Sequence, residues 1–346
     1  MMPKGPYINH NSITSRIQLA EHFSIDENHI DRVIEKYPMK ITPHYLSLIK
    51  KHGDGLWKQA VPDIRELENS SLKDDPLYEE LQSPTPNLIH RYPDRVVFLV
   101  SNQCAMYCRY CMRKRRIGRH LPQHESSIEK GIAYIRDHQQ IRDVILSGGD
   151  PLMLNDNTLD NILKQIKKIQ HVEIIRIHSR IPCVLPQRIT DDLAETIRKY
   201  HPIYLNTHFN HPDEITPESQ RACSILADVG IPLGCQTVLL KGVNDSPHIM
   251  KELMRKLVQI RVKPYYIHHP DPVQGTHHFR VPIQTGLKIL EYLQGNISGL
   301  CIPRYMIDLP KGGGKVPLQC NYIDQSNHDR HIVRNYRGEL FEYPDA

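Results

Sequence analysis

Three cysteines stand close together in the run SNQCAMYCRYCMRKRRIG, at Cys104, Cys108 and Cys111. They directly follow Val96–Val100, an apolar run with the length of a buried strand. Three thiolates suit an iron–sulfur cluster. A four-iron cube held by only three protein sulfurs keeps one iron free to bind a small molecule. The spacing therefore predicts a reactive metal centre in a loop that follows an early strand.

Zinc is the main alternative for this cysteine loop, because three thiolates with His120 or His124 as a fourth ligand would also complete a site. The thiols could instead be packed side chains with no metal. Disulfides are disfavoured, since the remaining cysteines are scattered and no export signal precedes them. Those remaining cysteines are Cys183, Cys223, Cys235, Cys301 and Cys320.

Length and composition allow one large α/β domain, or a main domain with an appendage. The chain has 346 residues, of which 39% are apolar and 24% charged. No apolar run approaches the ~18 residues of a membrane span, so we expect no membrane partner. The first residues, MMPKGPYINHNSITSR, contain no hydrophobic segment and do not form a signal peptide. We therefore expect a cytoplasmic protein whose thiols stay reduced.

The net charge of +5 is concentrated around the cysteines. Such a basic patch could contact nucleic acid, but no interleaved aromatic pattern or nucleic-acid motif supports that interpretation. It could equally offset a negatively charged cluster and hold a carboxylate or phosphate. The basic residues of this loop are Arg109, Arg113, Lys114, Arg115, Arg116 and Arg119.

From about residue 95, short β-branched runs alternate with longer helical patterns, which is typical of a parallel sheet with helices outside. Six such units fit a partial (β/α)6 TIM-like barrel, in which chemistry gathers at the carboxyl ends of the strands. We expect an α/β fold with a helical region at 1–90, the barrel at 91–280 and a carboxyl-terminal segment at 281–346. The predicted strands are Val96–Val100, Val144–Ser147, Ile174–His178, Ile203–His208, Cys235–Leu240 and Lys263–His268. The predicted helices are Glu125–His138, Asn157–Gln170, Thr190–Tyr200, Pro217–Val229 and Ser246–Gln259.

Fewer elements are predicted outside the barrel. Ser12–His22 and Glu27–Tyr37 have helix-like periodicity, and a later helix is predicted at Thr285–Gln294. Near the end of the chain, Val333–Tyr336 and Glu339–Tyr343 can form a hairpin because the Arg-Gly pair between them offers a turn.

A second chemical feature is the turn Ser147-Gly148-Gly149-Asp150, which follows the second predicted strand. Paired glycines let backbone groups approach a ligand closely, and the adjacent carboxylate could accept hydrogen bonds from an ammonium group. An ordinary strand-to-helix turn would have the same composition. The turn indicates a ligand-binding site only in combination with the cysteine loop.

A third feature is the run DLPKGGGK, which begins at Asp308 and ends at Lys315. It is not a phosphate-binding P-loop, because Leu309 and Val316 stand where that pattern needs glycine and a hydroxyl residue. Three glycines instead place a thin, mobile backbone before one lysine amine. Such an amine could form a Schiff base with a carbonyl cofactor, typically pyridoxal phosphate (PLP). A flexible surface loop is the alternative.

The segment HRYPDR, just before the first predicted strand, contains Arg91, Tyr92 and Arg95. Two arginines and a tyrosine at this spacing could hold a phosphate through charge-assisted hydrogen bonds. A solvated turn with ordinary surface charges is the alternative.

Together these features resemble one family, the lysine 2,3-aminomutases, which are radical S-adenosylmethionine (SAM) enzymes that also carry PLP. The resemblance runs from about Ile41 to about Tyr343. The cysteine triplet marks the superfamily, and the Gly-Gly-Gly-Lys run marks its PLP-dependent branch. The motifs are HRYPDRV, CAMYCRYCMRKRR, VILSGGD, RIHSRIPCVLPQRIT, LNTHFNHPDEIT, LLKGVND, RVKPYYIHHPD and DLPKGGGKVP.

The resemblance implies a radical SAM barrel and a role for each matching residue. Cys104, Cys108 and Cys111 would hold a [4Fe–4S] cluster whose fourth iron chelates SAM, and Lys315 would carry PLP. The SAM contacts would be Ser147, Gly148, Gly149, Asp150, His208 and Gln236. The PLP phosphate would be held by Arg91, Tyr92 and Arg95.

The resemblance also implies the substrate. Arg113 would grip a carboxylate, while Asp271 and Asp308 would receive a side-chain ammonium. A buried cation needs such paired carboxylates, and an enzyme for glutamate would need cations or amides there. We therefore expect an L-lysine 2,3-aminomutase, an isomerase that interconverts L-lysine and β-lysine. An arginine 2,3-aminomutase is the main competitor, because a guanidinium also suits two carboxylates.

Two other functions are alternatives at this point. One is a β-lysine-forming enzyme that serves the modification of elongation factor P. The other, from a different class, is a zinc-binding module that contacts RNA through its arginine-rich loop. The resemblance further implies an electron donor such as flavodoxin or ferredoxin, and leaves a homo-oligomer open.

One departure from the family concerns zinc. Longer members continue into a cysteine-rich tail that binds zinc together with a cysteine just after the GVND motif. Here Ser246 stands after that motif's Asp245, and the sequence ends at Ala346. We therefore expect a short member with no structural zinc.

Overall fold

The computed structural model describes residues 11–25, 29–68, 71–118, 125–327 and 330–344. At its centre is a nine-stranded sheet in which successive strands of the chain are neighbours in space. With every strand beside its predecessor, the sheet curves into a nearly closed barrel. Its strands are β1 (Leu88–Tyr92), β2 (Arg95–Ser101), β3 (Asp143–Gly148), β4 (Ile174–His178), β5 (Ile203–Thr207), β6 (Leu233–Val238), β7 (Lys263–His268), β8 (Arg304–Leu309) and β9 (Gly314–Leu318).

The strands from β2 to β8 run parallel, whereas β1 and β9 pair antiparallel at the two ends of the sheet. The six strands predicted from the sequence correspond to β2–β7, and the α/β barrel expectation is confirmed. The other three strands were not predicted. Two of them matter for the site, because β1 contains Arg91 and Tyr92 and β9 contains Lys315.

Helices cover the outside of the barrel, and the five predicted between strands are all present, with ends that differ from the prediction by at most three residues. The predicted later helix is also present. In chain order the helices are α1 (Arg16–Ala20), α2 (His29–Lys36), α3 (Pro43–Leu48), α4 (Gly55–Ala60), α5 (Glu125–Asp137), α6 (Asp156–Lys167), α7 (Ile181–Val184), α8 (Asp191–Arg198), α9 (Pro217–Asp228), α10 (Pro247–Gln259) and α11 (Ile283–Leu293).

Helix α6 illustrates how the sequence builds one of these covers. Asn155 begins the helix, because its side-chain Oδ1 accepts a hydrogen bond from the backbone N–H of Thr158 at 2.8 Å. Apolar residues then recur at helical spacing and are buried, each contributing on the order of 1.5–3 kcal/mol. These residues are Leu159, Ile162, Leu163 and Ile166.

Strand β4 illustrates how the barrel gains a polar interior. Side chains alternate along a strand, so Ile175 and Ile177 are buried in the hydrophobic core. Ile174, Arg176 and His178 line the interior cavity instead. The alternation therefore places polar side chains inside the barrel, while the apolar side chains pack in the core beneath the helices.

Two predictions outside the barrel are corrected by the structure. The helix expected at Ser12–His22 is only the five-residue α1, which Ser15 caps. The helix expected at Glu27–Tyr37 is present as α2, and the first residues of that prediction lie outside the described residues. The terminal hairpin is present, although its turn is wider than Arg-Gly and a third strand joins it. These strands are β10 (Ile323–Asn327), β11 (Arg330–Arg334) and β12 (Leu340–Pro344).

Within the described ranges, no helix has the length and apolar character needed to cross a membrane.

Candidate active site

A cavity of about 1010 Å³ occupies the interior of the barrel. Every residue that the sequence suggested for the site lines this one cavity, although these residues come from widely separated parts of the chain. They are Arg91, Tyr92, Arg95, Cys104, Cys108, Cys111, Arg113, Ser147, Gly148, Gly149, Asp150, His208, Gln236, Asp271, Asp308 and Lys315.

The three cysteines lie in the loop after β2 and are free thiols. Burial, together with the neighbouring thiols, raises the pKa of Cys111 to about 11 and that of Cys104 well above its ordinary value. Three thiolates gathered in such surroundings need cations beside them, and the irons of a cluster supply that charge. The donor set therefore fits an iron–sulfur cluster.

A single metal ion makes a different demand on these ligands. In the part of the chain that the structure describes, no three His, Cys, Asp or Glu side chains converge on one point. A cube takes each thiolate on a different iron, so its ligands need not converge. His120 and His124, the suggested fourth ligands for zinc, lie outside the described residues.

A buried charged triad anchors the cysteine loop to the amino-terminal region. Glu66 accepts from Arg109 Nε at 2.9 Å and Nη2 at 2.5 Å, and from Lys114 Nζ at 2.5 Å. All three side chains are buried, and burial lowers the pKa of Lys114 to about 8. The two cations lie inside and just beyond the cysteine triplet, so Glu66 fixes the loop at both places. No sequence pattern pointed to Glu66.

The Ser-Gly-Gly-Asp turn is joined to the start of the same loop. The backbone N–H of Gly149 donates to Ser101 O, and that of Asp150 donates to Gln103 O, each at 2.6 Å. A Cβ on Gly148 would lie 2.1 Å from Ser101 O, and one on Gly149 would lie 2.3 Å from Gln103 O. The glycines are therefore required by the close approach of two backbone segments.

The carboxylate of Asp150 is occupied by protein groups. Its Oδ1 accepts from the backbone N–H of Leu152 at 3.0 Å, and its Oδ2 from that of Arg180 at 2.8 Å. Burial raises the pKa of Asp150 to about 6 in spite of these bonds. The carboxylate therefore caps the turn that follows β3.

Arg180 is a site residue that the sequence did not single out. Its Nη1 donates to Cys108 Sγ at 2.8 Å, and its Nη2 donates to Glu214 Oε1 at 2.9 Å. Both Arg180 and Glu214 are buried. Arg180 therefore places a buried positive charge directly beside one of the three candidate cluster ligands. Its position inside the matching run RIHSRIP was the only available signal.

His208 reaches the cavity beside the cysteine loop. The hydroxyl of Tyr110 lies 3.0 Å from His208 Nε2, and the two rings are stacked. Burial lowers the pKa of His208 well below its usual range, so the imidazole is neutral near pH 7. Gln236 lines the same cavity from β6.

The lysine of the glycine-rich run lies on the hairpin that β8 and β9 form. Asp308 and Lys315 are register partners, and Lys315 Nζ forms an ion pair with Asp308 Oδ2. The backbone N–H of Lys315 donates to the Tyr92 hydroxyl at 2.7 Å. One tyrosine of β1 thus contacts the lysine of β9, because these strands are the two ends of the sheet.

The candidate phosphate-binding residues are only partly available. Arg91 donates to Asp308 Oδ1 at 3.0 Å and to Gln82 Oε1 at 2.7 Å, so protein acceptors hold it. The Tyr92 hydroxyl keeps its own proton for donation. The Arg95 guanidinium lies 3.9 Å from the centre of the Tyr92 ring, and it uses one of its five N–H donors on Asp94 Oδ1 at 2.8 Å. Tyr92 and Arg95, with the amine of Lys315, therefore provide donors suited to a phosphorylated aldehyde such as PLP.

Asp271 is the second acid of the suggested pair. It borders the cavity and is half-buried. Burial and, secondarily, the charge of Asp308 raise the pKa of Asp271 to about 7. A carboxyl group of this kind gains its charge readily only when a cation arrives beside it.

Arg113 is held by a carboxylate that the sequence did not indicate. Glu79 Oε1 accepts from Arg113 Nη2 at 2.7 Å, and Glu79 Oε2 accepts from Arg113 Nε at 3.0 Å. The Nη1 atom donates to Ser147 Oγ at 3.3 Å. Arg113 thus connects the Ser-Gly-Gly-Asp turn to the amino-terminal region.

Comparison with known proteins agrees with this geometry. Residues 98–254 match the model of the radical SAM superfamily, and residues 290–346 match that of lysine-2,3-aminomutase. The chain is 50% identical to L-lysine 2,3-aminomutase of Clostridium subterminale, over 92% of this chain and 78% of that protein. It is also 50% identical to L-lysine 2,3-aminomutase of Methanococcus maripaludis, over 92% of this chain and 75% of that protein.

A relative that is named for a different substrate is also similar to this chain. Glutamate 2,3-aminomutase of Clostridioides difficile is 44% identical over 92% of this chain and 76% of that protein. All three relatives are aminomutases, which are isomerases. The barrel, the cysteine loop and this similarity over most of the chain lead to one conclusion: the chain belongs to the lysine 2,3-aminomutase family of the radical SAM superfamily and is an aminomutase.

Proposed function

We propose that the chain interconverts L-lysine and β-lysine by moving the α-amino group to the neighbouring carbon. The observation that carries this proposal is the presence of Asp271 and Asp308 in one cavity with Arg113 and Lys315. Two acids suit a side-chain ammonium, and an arginine suits a carboxylate. Similarity to both lysine and glutamate aminomutases supports the reaction type, while these two acids favour lysine.

The cofactors proposed are a [4Fe–4S] cluster, SAM and PLP. When bound, they would supply a reducing electron, a carbon radical generated from SAM and an aldehyde that carries the migrating nitrogen. Cys104, Cys108 and Cys111 would hold the cluster. Ser147, Gly148, Gly149, Asp150, His208 and Gln236 would contact SAM. Arg91, Tyr92 and Arg95 would hold the phosphate of PLP, and Lys315 would hold its aldehyde carbon.

The chain's own groups would orient the substrate at both ends. Arg113 would bind the α-carboxylate through a charge-assisted pair. Asp308 already accepts one primary ammonium, that of Lys315, which supports its capacity to accept another once Lys315 is engaged elsewhere. Asp271 would become charged as the ammonium enters beside it, since burial otherwise favours its neutral form. The barrel wall surrounds these groups and would limit the access of water to a radical formed there.

A low-potential reductant such as flavodoxin or ferredoxin is proposed as the electron donor. We further propose a cytoplasmic location, where thiols stay reduced. A homo-oligomer is also proposed, and size-exclusion chromatography would measure the number of identical chains.

The proposal is tested by anaerobic reconstitution with iron, sulfide, SAM, PLP and a chemical reductant. Lysine, arginine, glutamate and ornithine are tested separately. The products are separated by chromatography and identified by mass spectrometry. We expect β-lysine from lysine and little product from the others. Conversion of another amino acid with lysine returned unchanged would refute the proposed substrate.

A matched pair of variants tests the metal centre in the same experiment. Cys108→Ala should lower the iron content and abolish product, whereas Cys223→Ala, a buried core cysteine away from the cavity, should retain both. Stoichiometric zinc without iron in the wild type would support a zinc module instead.

A further inference from the structure

Glu79 is a buried carboxylate on the cavity wall that has no assigned role. Glu79 and Arg113 are 34 residues apart in the sequence, and only folding brings their side chains together. The two oxygens of Glu79 accept from Arg113 Nε and Nη2 at 2.7–3.1 Å. A buried bidentate pair of this kind fixes both partners in orientation as well as in position.

The guanidinium of Arg113 has two usable edges. Glu79 occupies the side edge, which Nε and Nη2 form. On the other side, Nη1 makes one bond, to Ser147 Oγ at 3.3 Å. A guanidinium has five N–H donors in a rigid planar fork. The end edge, formed by Nη1 and Nη2, therefore keeps donors for one more acceptor at the cavity.

Glu79 is itself held in place by the chain around it. Its backbone N–H donates to Asp75 Oδ1 at 3.1 Å, and the segment of residues 75–82 continues past the cavity wall. Within that segment, Leu77 O accepts from Arg91 Nη2 at 3.2 Å, and Gln82 Oε1 accepts from Arg91 Nε at 2.7 Å. Residues 75–82, here called the brace segment, thus contact two of the arginines that line the cavity, Arg91 and Arg113.

Another acid competes for Arg113. Asp271 and Arg113 line the same cavity, so their opposite charges attract each other. Without Glu79, the guanidinium would be drawn toward the acid that is needed for the substrate ammonium. The bond to Glu79 therefore keeps the anion-binding and cation-binding ends of the cavity apart.

We propose that Glu79 is a positioning residue that holds Arg113 by its side edge and so presents the end edge to the α-carboxylate of the substrate. This inference rests on the proposed function in one respect, the assignment of Arg113 to the substrate carboxylate. Glu79 itself does not touch the substrate. Its removal should weaken recognition of the carboxylate more than recognition of the rest of the molecule.

The test compares lysine with lysinamide, which has the same side chain but no carboxylate. Binding of each is measured by calorimetry on the PLP-loaded protein without SAM, for the wild type and for Glu79→Gln. In the wild type, we expect lysine to bind more tightly than lysinamide. In Glu79→Gln, the ratio of the two affinities should fall by about tenfold or more, because lysine binding weakens and lysinamide binding changes little. In turnover, the KM for lysine should rise more than kcat falls.

Glu80→Gln is the matched control. Glu80 is the neighbouring acid, with 66% of its side chain exposed, and it contacts Arg115 instead of Arg113. Its affinity ratio should equal that of the wild type. Glu79→Asp keeps the charge but shortens the reach, and should give an intermediate ratio even if Glu79→Gln folds poorly.

An unchanged ratio in the folded Glu79 variants would overturn the inference, as would an equal fall in Glu80→Gln. Failure of the proposed substrate would look different. In that case, the wild type would bind another amino acid from the panel, and the same ratio would be measured with that amino acid and its amide.

Discussion

Asp308 and Lys315 face each other across the β8–β9 hairpin and form an ion pair inside the barrel. The two charged ends of the DLPKGGGK run are therefore a single site. The glycines between them permit the tight return, since Gly312 and Gly314 have φ of 79° and 85°. A side chain at Gly312 would also meet Gln82 of the brace segment, with a Cβ 2.4 Å from Gln82 Nε2.

This hairpin predicts that one of two nearby lysines is needed to hold PLP. Lys315→Ala should abolish the visible absorbance of bound PLP, because the only amine that the hairpin directs to Asp308 is removed. Lys311 lies in the same turn but does not line the cavity, so Lys311→Ala should retain the band. Absorbance spectra after removal of free PLP distinguish the variants. Retention of the band in Lys315→Ala would show that another amine carries the cofactor.

The six central strands were predictable because each is a short β-branched run followed by a helical pattern, as in Ile174–His178. The strands at the ends of the sheet were not. β1 contains His90 and Arg91, and β9 contains Lys315 and Pro317, so neither strand shows the continuous apolar run on which the prediction depended. Arg95 and Lys315 reach the same cavity only because the sheet curves until its two ends meet.

The residues proposed to bind the cofactors were easier to predict than the residues that hold those side chains in place. Cysteine spacing and a glycine-rich run before lysine are chemical patterns that a sequence displays directly. Glu66, Glu79 and Arg180 are single charged residues in ordinary surroundings, and only folding buries them beside their partners. Asp150 combines both properties, since it stands in a recognisable motif and its carboxylate also accepts from the backbone N–H groups of Leu152 and Arg180.

The raised pKa of Asp271 predicts a pH dependence of lysine binding. This carboxyl has a pKa of about 7 in the folded protein, raised from 3.8, so below pH 7 it is increasingly protonated. A neutral carboxyl attracts an ammonium weakly, and the affinity for lysine should fall by up to about tenfold per pH unit below 7. Calorimetric titrations between pH 5.5 and 8.5 measure the profile. Asp271→Asn should bind lysine weakly with a flatter profile, whereas a flat profile in the wild type would contradict the assignment.

The raised pKa of Asp271 also affects the free energy of unfolding, and here the lower pH is the favourable condition. Between about pH 4 and pH 7, the folded protein keeps a proton on Asp271 that the unfolded chain has released. The contribution of this group to the free energy of unfolding should therefore decrease as the pH rises through that window. Asp271→Asn should show a smaller decrease over that interval in urea unfolding. An identical pH dependence in the variant and the wild type would exclude this effect.

The paired glycines predict a steric requirement in the cysteine loop. Gly149→Ala would place a Cβ 2.3 Å from Gln103 O, so the two backbones must separate. We expect a loss of about 1–3 kcal/mol in the free energy of unfolding and less iron retained after reconstitution. Gly299→Ala is the control, because a Cβ there meets nothing within 4 Å. Its stability should stay within about 0.5 kcal/mol of the wild type. Equal losses in both variants would refute the steric explanation.

The buried triad predicts that Glu66 stabilises the cysteine loop before any metal binds. Burial would raise the pKa of Glu66, but Arg109 and Lys114 together outweigh it and lower that pKa. Glu66→Gln would leave two buried cations without a compensating charge, which should cost about 3–5 kcal/mol. Urea unfolding of the metal-free, reduced protein measures the loss.

Glu68→Gln is the control for this triad, because it changes an acid two residues away with 58% of its side chain exposed. Its ion pair with His277 lies at the surface, where such pairs contribute about 1 kcal/mol or less. A large loss for Glu66→Gln beside a small loss for Glu68→Gln would identify the triad as the anchor of the loop. Similar small losses in both would mean that water or backbone groups compensate Arg109 and Lys114 when the carboxylate is gone, and that the loop depends on its metal for order.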